Sequence, residues 1–201
     1  MRQLRGSVLV GCVAGLALSP LMGDSWSGPT VKAVISSDGN RIVRVEPGES
    51  IGDTVGFAGE PKGPFALATY YERAPVADAY QPYLQISLQN PVAPVDILLS
   101  DSGILVTLDN WHNMGYGFVV VIFDKDGKMV KSYKLEDLYT EENIAKISHS
   151  VSSRWWRCAT SEPRIHRDSL RVTDTIGGEF MFDLHDGSFD YSQEQLTCPK
   201  V

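Results

Sequence analysis

Four short apolar runs, separated by polar turns that contain glycine, occupy the middle of the chain between Val95 and Leu135. β-Branched residues dominate the runs, and two of the turns end in Ser102-Gly103 and Asp126-Gly127, where glycine accepts the backbone conformation that a tight hairpin demands. The pattern predicts an antiparallel four-stranded meander with strands at 95–99, 104–109, 118–123 and 129–135.

The flanking segments repeat this pattern of short apolar runs separated by polar turns. Before and after the central stretch the alternation of apolar and polar positions predicts further strands at 31–35, 41–45, 65–72, 83–88, 150–157, 170–175, 179–184 and 188–191. Hairpin signals recur at Asp38-Gly39 and Asp186-Gly187, whereas 46–63 is rich in glycine and proline and reads as a loop. We therefore expect an all-β fold made of about three four-stranded antiparallel sets.

One short helix is predicted, near 140–148, and Leu135–Leu138 could form a single helical turn before it. Thr140 is a suitable N-cap, acidic residues fill the first turn, and Lys146 lies near the end, as the helix dipole favours. Ile144 and Ile147, three positions apart, would face a sheet. This short helix is expected to cover the β-structure.

The stretch LLSDSGILVTLDNWH, followed by GFVVVIFDKDGKMVKSYKL, resembles blades of secreted β-propeller proteins. Continued through KLEDLYTEENIAKISHSVSSRWWR, residues 95–157 are similar to a group of uncharacterised exported bacterial proteins. The resemblance implies blade-like meanders but no particular activity, because propeller blades host unrelated functions. Three sets are fewer than the about four to eight blades that close a ring. We expect an open propeller-like domain; closure by association and a sandwich are the alternatives.

The N-terminal segment has the pattern of an export signal. Arg2 and Arg5 precede an apolar run over 7–18, and Ser19-Pro20 and small residues follow it. We expect 1–23 to be a signal peptide and 24–201 a single domain with a short C-terminal tail, located in the periplasm or secreted. An uncleaved anchor and a lipoprotein attached through Cys12 are the alternatives.

The net charge limits the classes of partner that we expect, and the cysteine content predicts a disulfide. Removal of 1–23 leaves 16 Lys and Arg against 25 Asp and Glu, a net charge of −9. Nucleic acids and anionic membranes require clustered cations, so neither is expected as a partner. Cys158 and Cys198 remain, and an even pair in an exported chain predicts a disulfide; two free thiols are the alternative.

Two clusters carry the candidate chemistry. The first follows the predicted strand 104–109 and could hydrogen-bond to and stack on a sugar or peptide. The second is an aromatic pair flanked by arginines. The candidate binding residues are Asp109, Asn110, Trp111, His112, Trp155 and Trp156. The alternative is structural. In the first cluster Asp109 and Asn110 would hydrogen-bond to the loop backbone and Trp111 would pack in the core, and in the second cluster one tryptophan of the pair would pack in the core.

Catalytic motifs for acyl transfer, zinc hydrolysis and phosphate binding do not occur in the sequence. Asp124-Lys125-Asp126-Gly127 resembles the first half of a calcium loop, but the twelfth position is Leu135, so no metal and no cofactor are predicted. The leading hypothesis is a non-catalytic exported domain that binds a protein or glycan or joins an assembly. The alternatives are an extracytoplasmic hydrolase with its site near Asp109–Asn113, and a lipid-anchored surface protein.

Overall fold

The computed structural model describes residues 27–50, 62–76, 79–193 and 198. Within these ranges the protein is all-β, with three four-stranded antiparallel sheets and two short helices. The predicted signal peptide, Cys12 and most of the predicted loop 46–63 lie outside the described residues.

Each sheet is a meander whose strands pair in chain order. Sheet 1 consists of β1 (Lys32–Ile35), β2 (Arg41–Glu46), β3 (Leu67–Arg73) and β4 (Tyr80–Ser87). Sheet 2 consists of β5 (Pro94–Leu99), β6 (Leu105–Asn110), β7 (Val120–Phe123) and β8 (Met129–Tyr133). Sheet 3 consists of β9 (Arg164–His166), β10 (Ser169–Thr173), β11 (Glu179–Asp183) and β12 (Phe189–Ser192). The prediction of an all-β fold in three four-stranded sets is confirmed.

Sheet 2 is the middle layer of the stack. Leu105 and Phe123 pack in one apolar cluster with sheet 1, while Val106 and Ile122 pack in the other cluster with sheet 3. All residues of β6 and β7 are buried. Because both faces are covered, these strands need apolar residues at successive positions, which explains the continuous apolar runs of the central stretch.

The first strands of the three sheets lie side by side, since β5 contacts both β1 and β9. Successive sheets are thus arranged like neighbouring blades, with their first strands innermost. The turns after these strands lie at one end of the molecule, where Asp38 N donates to Asp101 Oδ1 (2.9 Å) and Ser102 Oγ donates to Asp168 Oδ1 (2.7 Å). The opposite end, here called the loop end, carries the connections that follow β4, β6, β8 and β10.

The covering helix is shorter than predicted. The single turn predicted at 135–138 is present as α1 (Leu135–Leu138), whereas the helix predicted near 140–148 is the single turn α2 (Glu141–Ile144). The Thr140 hydroxyl does cap α2, accepting from Asn143 N at 3.4 Å. Beyond it, Ile147 N bonds to Ile144 O, only three residues back, so the chain tightens instead of continuing the α-helix. Ile147 is nevertheless buried against the core.

The predicted strand 150–157 is wrong. His149 and Arg154 instead pair in a short hairpin, and the first strand of sheet 3 is β9, in a stretch where no strand was predicted. Arg167 and Asp168 join β9 to β10 with φ values of 49° and 56°. Two consecutive positive φ values characterise a tight hairpin turn that asparagine and glycine normally form, so Arg-Asp gives little sequence signal for it.

Candidate functional site

The first predicted cluster begins at the end of β6, where the chain turns sharply at the loop end. Asp109 and His112 adopt positive φ values of 56° and 70°, and Gly115 and Gly117 do the same at 74° and 68°. The left-handed conformation costs little for Asp and Gly, which makes this a compact turn directly after a buried strand.

The Asp109 carboxylate is fully buried and accepts three hydrogen bonds. Its Oδ1 accepts from Gly115 N at 3.0 Å and from Trp156 Nε1 at 2.8 Å, and its Oδ2 accepts from Arg157 Nε at 2.7 Å. A buried charge is tolerated only when it is paired and hydrogen-bonded, as here. Asp109 therefore ties the loop to the β6 end and to the segment that precedes β9.

Arg157 links Asp109 to a second carboxylate. Its Nη2 lies 2.8 Å from Asp96 Oδ2 on β5, and the Arg157 side chain is 10% exposed whereas that of Asp96 is 46% exposed. Burial alone lowers the pKa of Arg157, but the charges of Asp109 and Asp96 together outweigh it, so the pKa is raised. The guanidinium stays charged and joins the segment before β9 to two strands of sheet 2, to β5 through Asp96 and to β6 through Asp109.

Lys32, on β1, completes this group of charges on the inner strands. Its ammonium lies 5.0 Å from the centre of the Trp111 ring and donates to the Val95 carbonyl. Partial burial lowers the pKa of Lys32, and Arg157 acts in the same direction while Asp96 opposes it. Lys32, Asp96, Asp109 and Arg157 thus form one group of neighbouring charges.

Asn110 is also engaged in internal hydrogen bonds. Its Nδ2 donates to Tyr116 O (2.8 Å) and Phe118 O (3.2 Å), and its Oδ1 accepts from Asn90 Nδ2 at 2.8 Å. Asn90 Nδ2 also donates to Asp109 O at 3.0 Å. Asn90 was not among the predicted site residues; its only local signal is the Asn90-Pro91 pair at the end of sheet 1.

Trp111 and His112 occupy the start of the same connection. Trp111 N donates to Ala93 O at 2.8 Å, and its ring Nε1 donates to Ser27 O at 2.9 Å. His112 is buried, and this desolvation lowers the pKa of its imidazole. The ring is therefore neutral at neutral pH.

Trp155 and Trp156 point to opposite environments. Trp156 is fully buried between sheets 2 and 3, with its ring centre 6.2 Å from that of Phe180, and its indole N–H is the donor to Asp109. Trp155 is 41% exposed and Val151 is 82% exposed. These two residues, at the loop end, form what we call the hairpin patch.

The backbone that displays the hairpin patch is held on both sides. Trp155 N donates to Ser148 O at 3.0 Å, and Trp155 O accepts from the Thr175 hydroxyl at 3.0 Å. Ser150 N closes the hairpin on Ser153 O at 2.7 Å. The exposed indole thus stands on an ordered backbone.

Arg154 docks this hairpin onto the connection that follows β6. Its N–H donates to Met114 O at 2.8 Å, and its guanidinium lies 4.6 Å from the centre of the Tyr116 ring and 3.3 Å from Glu136. At Gly115 the two segments come so close that an added Cβ would lie 2.4 Å from Arg154 O. Only glycine fits at this crossing.

A second buried carboxylate occupies the equivalent place in sheet 3. Asp174 directly follows β10, and Asp109 is the penultimate residue of β6. β10 and β6 are the second strands of their sheets. Its Oδ1 accepts from Ile176 N (2.9 Å) and Gly178 N (2.8 Å), and its Oδ2 accepts from the hydroxyls of Tyr139 (3.0 Å) and Tyr191 (2.9 Å).

Asp174 was not predicted as important, although a sequence signal exists. LVTLD at 105–109 and LRVTD at 170–174 each end a second strand in aspartate before a glycine-bearing turn. Burial, and then the Asp174 charge, raise the pKa of Tyr139, which keeps its hydroxyl as a donor. The two aspartates play the same structural part. Each is a buried carboxylate that accepts hydrogen bonds from the backbone of the following loop and from aromatic N–H or O–H groups.

The Asp124–Gly127 segment forms a hairpin turn. Asp124 Oδ1 accepts from Asp126 N at 3.0 Å and from Lys128 N at 2.8 Å, so the carboxylate serves the turn's own amides. In the described part of the chain no three His, Cys, Asp or Glu side chains are grouped so that they could hold a metal ion.

The structure joins Cys158 and Cys198 in a disulfide with a Cα–Cα distance of 5.6 Å. Cys158 directly follows Arg157, and its N–H donates to Thr173 O at 2.9 Å. The bond therefore fastens residue 198 beside the segment that supplies Trp156 and Arg157 to Asp109.

Comparison with protein-family models and with curated proteins finds no match for this chain. Among the described residues, no helix is long and apolar enough to cross a membrane. The geometry of the loop end is therefore the basis for a functional assignment.

Proposed function

We propose that the protein is an exported, non-catalytic binding domain that engages a protein or glycan at its loop end, through the hairpin patch. One observation carries this proposal. The acidic side chain best placed for chemistry, Asp109, is buried and used by three internal donors, while Trp155 at the same end is exposed on a fixed backbone.

The competing hydrolase requires a titratable group within hydrogen-bond reach of a substrate. Asp109 points inward, and its charge is compensated by Arg157. Opening this site to a substrate would expose the Trp156 and Arg157 donors as well. The arrangement supports a structural role for Asp109 more strongly than a catalytic one.

Trp155 has the properties of an interface anchor. Tryptophan is enriched among residues that dominate binding energy, because a large apolar ring is buried at low cost in side-chain entropy. The hairpin backbone is already ordered by Ser148 and Thr175, so binding would require little further ordering. Val151, four residues earlier in the same segment, is also exposed.

A site-specific photocrosslinker in place of Val151, introduced in the full chain, tests this proposal. A partner in the cell envelope should crosslink from position 151 but not from a control position, Met129, which is exposed on β8. A panel of soluble polysaccharides examined by affinity electrophoresis covers the glycan case. We expect Trp155→Ala to weaken whichever interaction is found by about tenfold or more, and Met129→Ala to leave it unchanged.

Two results would contradict the proposal. One is hydrolysis of a panel substrate that His112→Asn abolishes and Trp155→Ala leaves intact, which would favour the hydrolase. The other is a specific ligand whose affinity is insensitive to Trp155→Ala.

Cell fractionation with intact-mass measurement tests the export component, because cleavage near residue 23 and a lipid on Cys12 give different masses.

A further inference from the structure

Two aromatic side chains are exposed in the part of the chain that the structure describes, and their surroundings differ. Tyr83 on β4 is 47% exposed, and Trp155 is 41% exposed. Burial raises the pKa of the Tyr83 hydroxyl, and four charged side chains nearby also act on it, those of Arg41, Glu72, Asp126 and Lys125. These four form two ion pairs, at 3.5 and 3.0 Å. Tyr83 therefore lies among charged groups.

The residues that contact Trp155 carry uncharged polar side chains instead. Ser148 lies opposite Trp155 in the hairpin, because Trp155 N donates to Ser148 O at 3.0 Å. Opposed residues of an antiparallel pair extend their side chains to the same face. The Thr175 hydroxyl donates to Trp155 O, also at 3.0 Å. Two hydroxyl side chains thus belong to residues next to the exposed indole.

The cations near Trp155 in the chain are already paired. Lys146 lies 3.0 Å from Glu142, and Arg154 lies 3.3 Å from Glu136. Arg157 is 10% exposed and is bound by two carboxylates. An anionic ligand would therefore find no uncompensated cation here. The net charge of the chain, −7, would also repel it.

The exposed aromatic area indicates a small contact. Trp155, at 41% exposure, offers on the order of 100 Å² of surface. A specific protein interface buries about 800 Å² on each partner, with several anchor residues in its centre. The area of the indole is comparable to that of one face of a sugar ring. Size and charge together favour an uncharged ligand with flat, weakly polar faces.

We propose that the ligand of the hairpin patch is a neutral polysaccharide, which lays one face of a sugar ring on the Trp155 indole. This inference rests on the proposed function and names the ligand class of the same site. A pyranose ring with equatorial hydroxyls directs C–H groups to its faces, and these partly positive hydrogens meet the negative face of the indole. The hydroxyls at the edge of the ring match the uncharged donors and acceptors of Ser148 and Thr175.

Affinity electrophoresis of the full chain tests this ligand class. Native gels contain one of two neutral polysaccharides, hydroxyethylcellulose or galactomannan, or the acidic polysaccharide polygalacturonate. We expect a neutral polysaccharide to retard the protein with a dissociation constant of about 1 mM per sugar residue, as a single stacked ring allows. Polygalacturonate should not retard it.

Three substitutions of Trp155 separate stacking from simple apolar contact. Trp155→Tyr retains an aromatic face and should bind within about threefold of the unmodified chain. Trp155→Leu is apolar but has no such face, so it should weaken binding about tenfold or more, as should Trp155→Ala. Tyr83→Ala is the matched control, because it removes the other exposed ring, and it should leave the retardation unchanged. Circular dichroism verifies that each variant is folded.

Two results within this experiment would overturn the neutral polysaccharide as ligand. One is retardation by polygalacturonate alone, and the other is retardation that Trp155→Leu retains in full. Crosslinking of position 151 to a protein, with no retardation by either neutral polysaccharide, would also overturn it but would leave the proposed function standing. Absence of both a crosslinked protein and polysaccharide binding would contradict the proposed function as well, so the two proposals fail distinguishably.

Discussion

At the scale of residues, the loop end depends on two buried carboxylates. Asp109 receives an indole N–H and a guanidinium N–H, and Asp174 receives two phenol hydroxyls, in addition to backbone donors of the following turn. Hydrogen bonds to a charged acceptor are worth more than neutral ones, about 1.5–3 kcal/mol each. Each aspartate thereby links a strand end, a glycine-bearing turn and a distant segment.

His112 gives the loop end a pH-dependent stability. Burial lowers its pKa, so the folded protein holds the imidazole neutral while the unfolded chain binds a proton near pH 6.5. The unfolded state then binds more protons in mildly acidic solution, and this contribution to stability, present above the unfolded pKa, is lost as the pH falls below it. The free energy of unfolding should decrease from pH 7.5 to pH 5.5 in urea titrations. His112→Asn, which tolerates the positive φ, should show a smaller decrease; an equal decrease would contradict the assignment.

Local signals at single residues predict turns well and long-range partners poorly. Ser102-Gly103 and Asp126-Gly127 predict hairpins because the turn geometry depends on those residues alone. The partner of Asp109, by contrast, is Arg157, which is 48 positions away. Nothing in the sequence around Asp109 indicates that its carboxylate is buried, so both a binding role and a structural role were open there.

At the scale of elements, the hairpin that displays Trp155 is shaped by a backbone crossing. The connection after β6 passes the hairpin at Gly115, next to Arg154 O. The dense aromatic pair Trp155-Trp156 predicted a strand over 150–157. The segment instead splits into a docked hairpin and a core tryptophan, and β9 takes the place of the first strand. Both outcomes are decided by packing between segments rather than by the local residue types.

Two glycines distinguish the loss of stability caused by a steric clash at this crossing from the loss caused by the left-handed backbone conformation alone. Gly115 and Gly39 have nearly the same φ, 74° and 70°, but an added Cβ at Gly39 meets nothing within 4 Å. Gly39→Ala should cost about 1 kcal/mol for the left-handed conformation alone. Gly115→Ala should cost about 3 kcal/mol, because the clash with Arg154 O adds to it. Equal losses in chemical denaturation would show that the crossing is not tight.

At the scale of the whole molecule, sheet 2 connects the two apolar clusters of the core, since one of its faces packs in each cluster. The continuous apolar runs of β6 and β7 agree with this central place, because a strand in an outer layer alternates instead. The three four-stranded sets were predicted from the sequence, whereas the position of sheet 2 between the other two was not. The ion pairs of Glu179 with Arg164 and Arg171 on sheet 3 likewise became apparent only once the cross-strand register was known.

The disulfide contributes to the stability of the whole domain. It closes a 40-residue loop that contains all of sheet 3. In the chain-entropy treatment such a loop stabilises by about 4 kcal/mol. Cys198→Ser should lower the free energy of unfolding by about this amount, and a reducing agent should have the same effect on the unmodified protein but none on the variant. A loss below about 1 kcal/mol would mean that residue 198 does not hold sheet 3 in place.

The claim that Asp109 holds the fold rather than a substrate is tested most directly by the unfolding free energies of Asp109→Ala and Asp96→Ala. Both changes remove a carboxylate from the same guanidinium, but Asp109 is fully buried and Asp96 is half-exposed. We expect Asp109→Ala to lower the free energy of unfolding by about 3–5 kcal/mol, because it leaves Arg157 and Trp156 without their buried acceptor. Asp96→Ala should cost about 1 kcal/mol or less. An Asp109→Ala protein as stable as the unmodified chain would contradict this claim and return Asp109 to the candidates for catalysis.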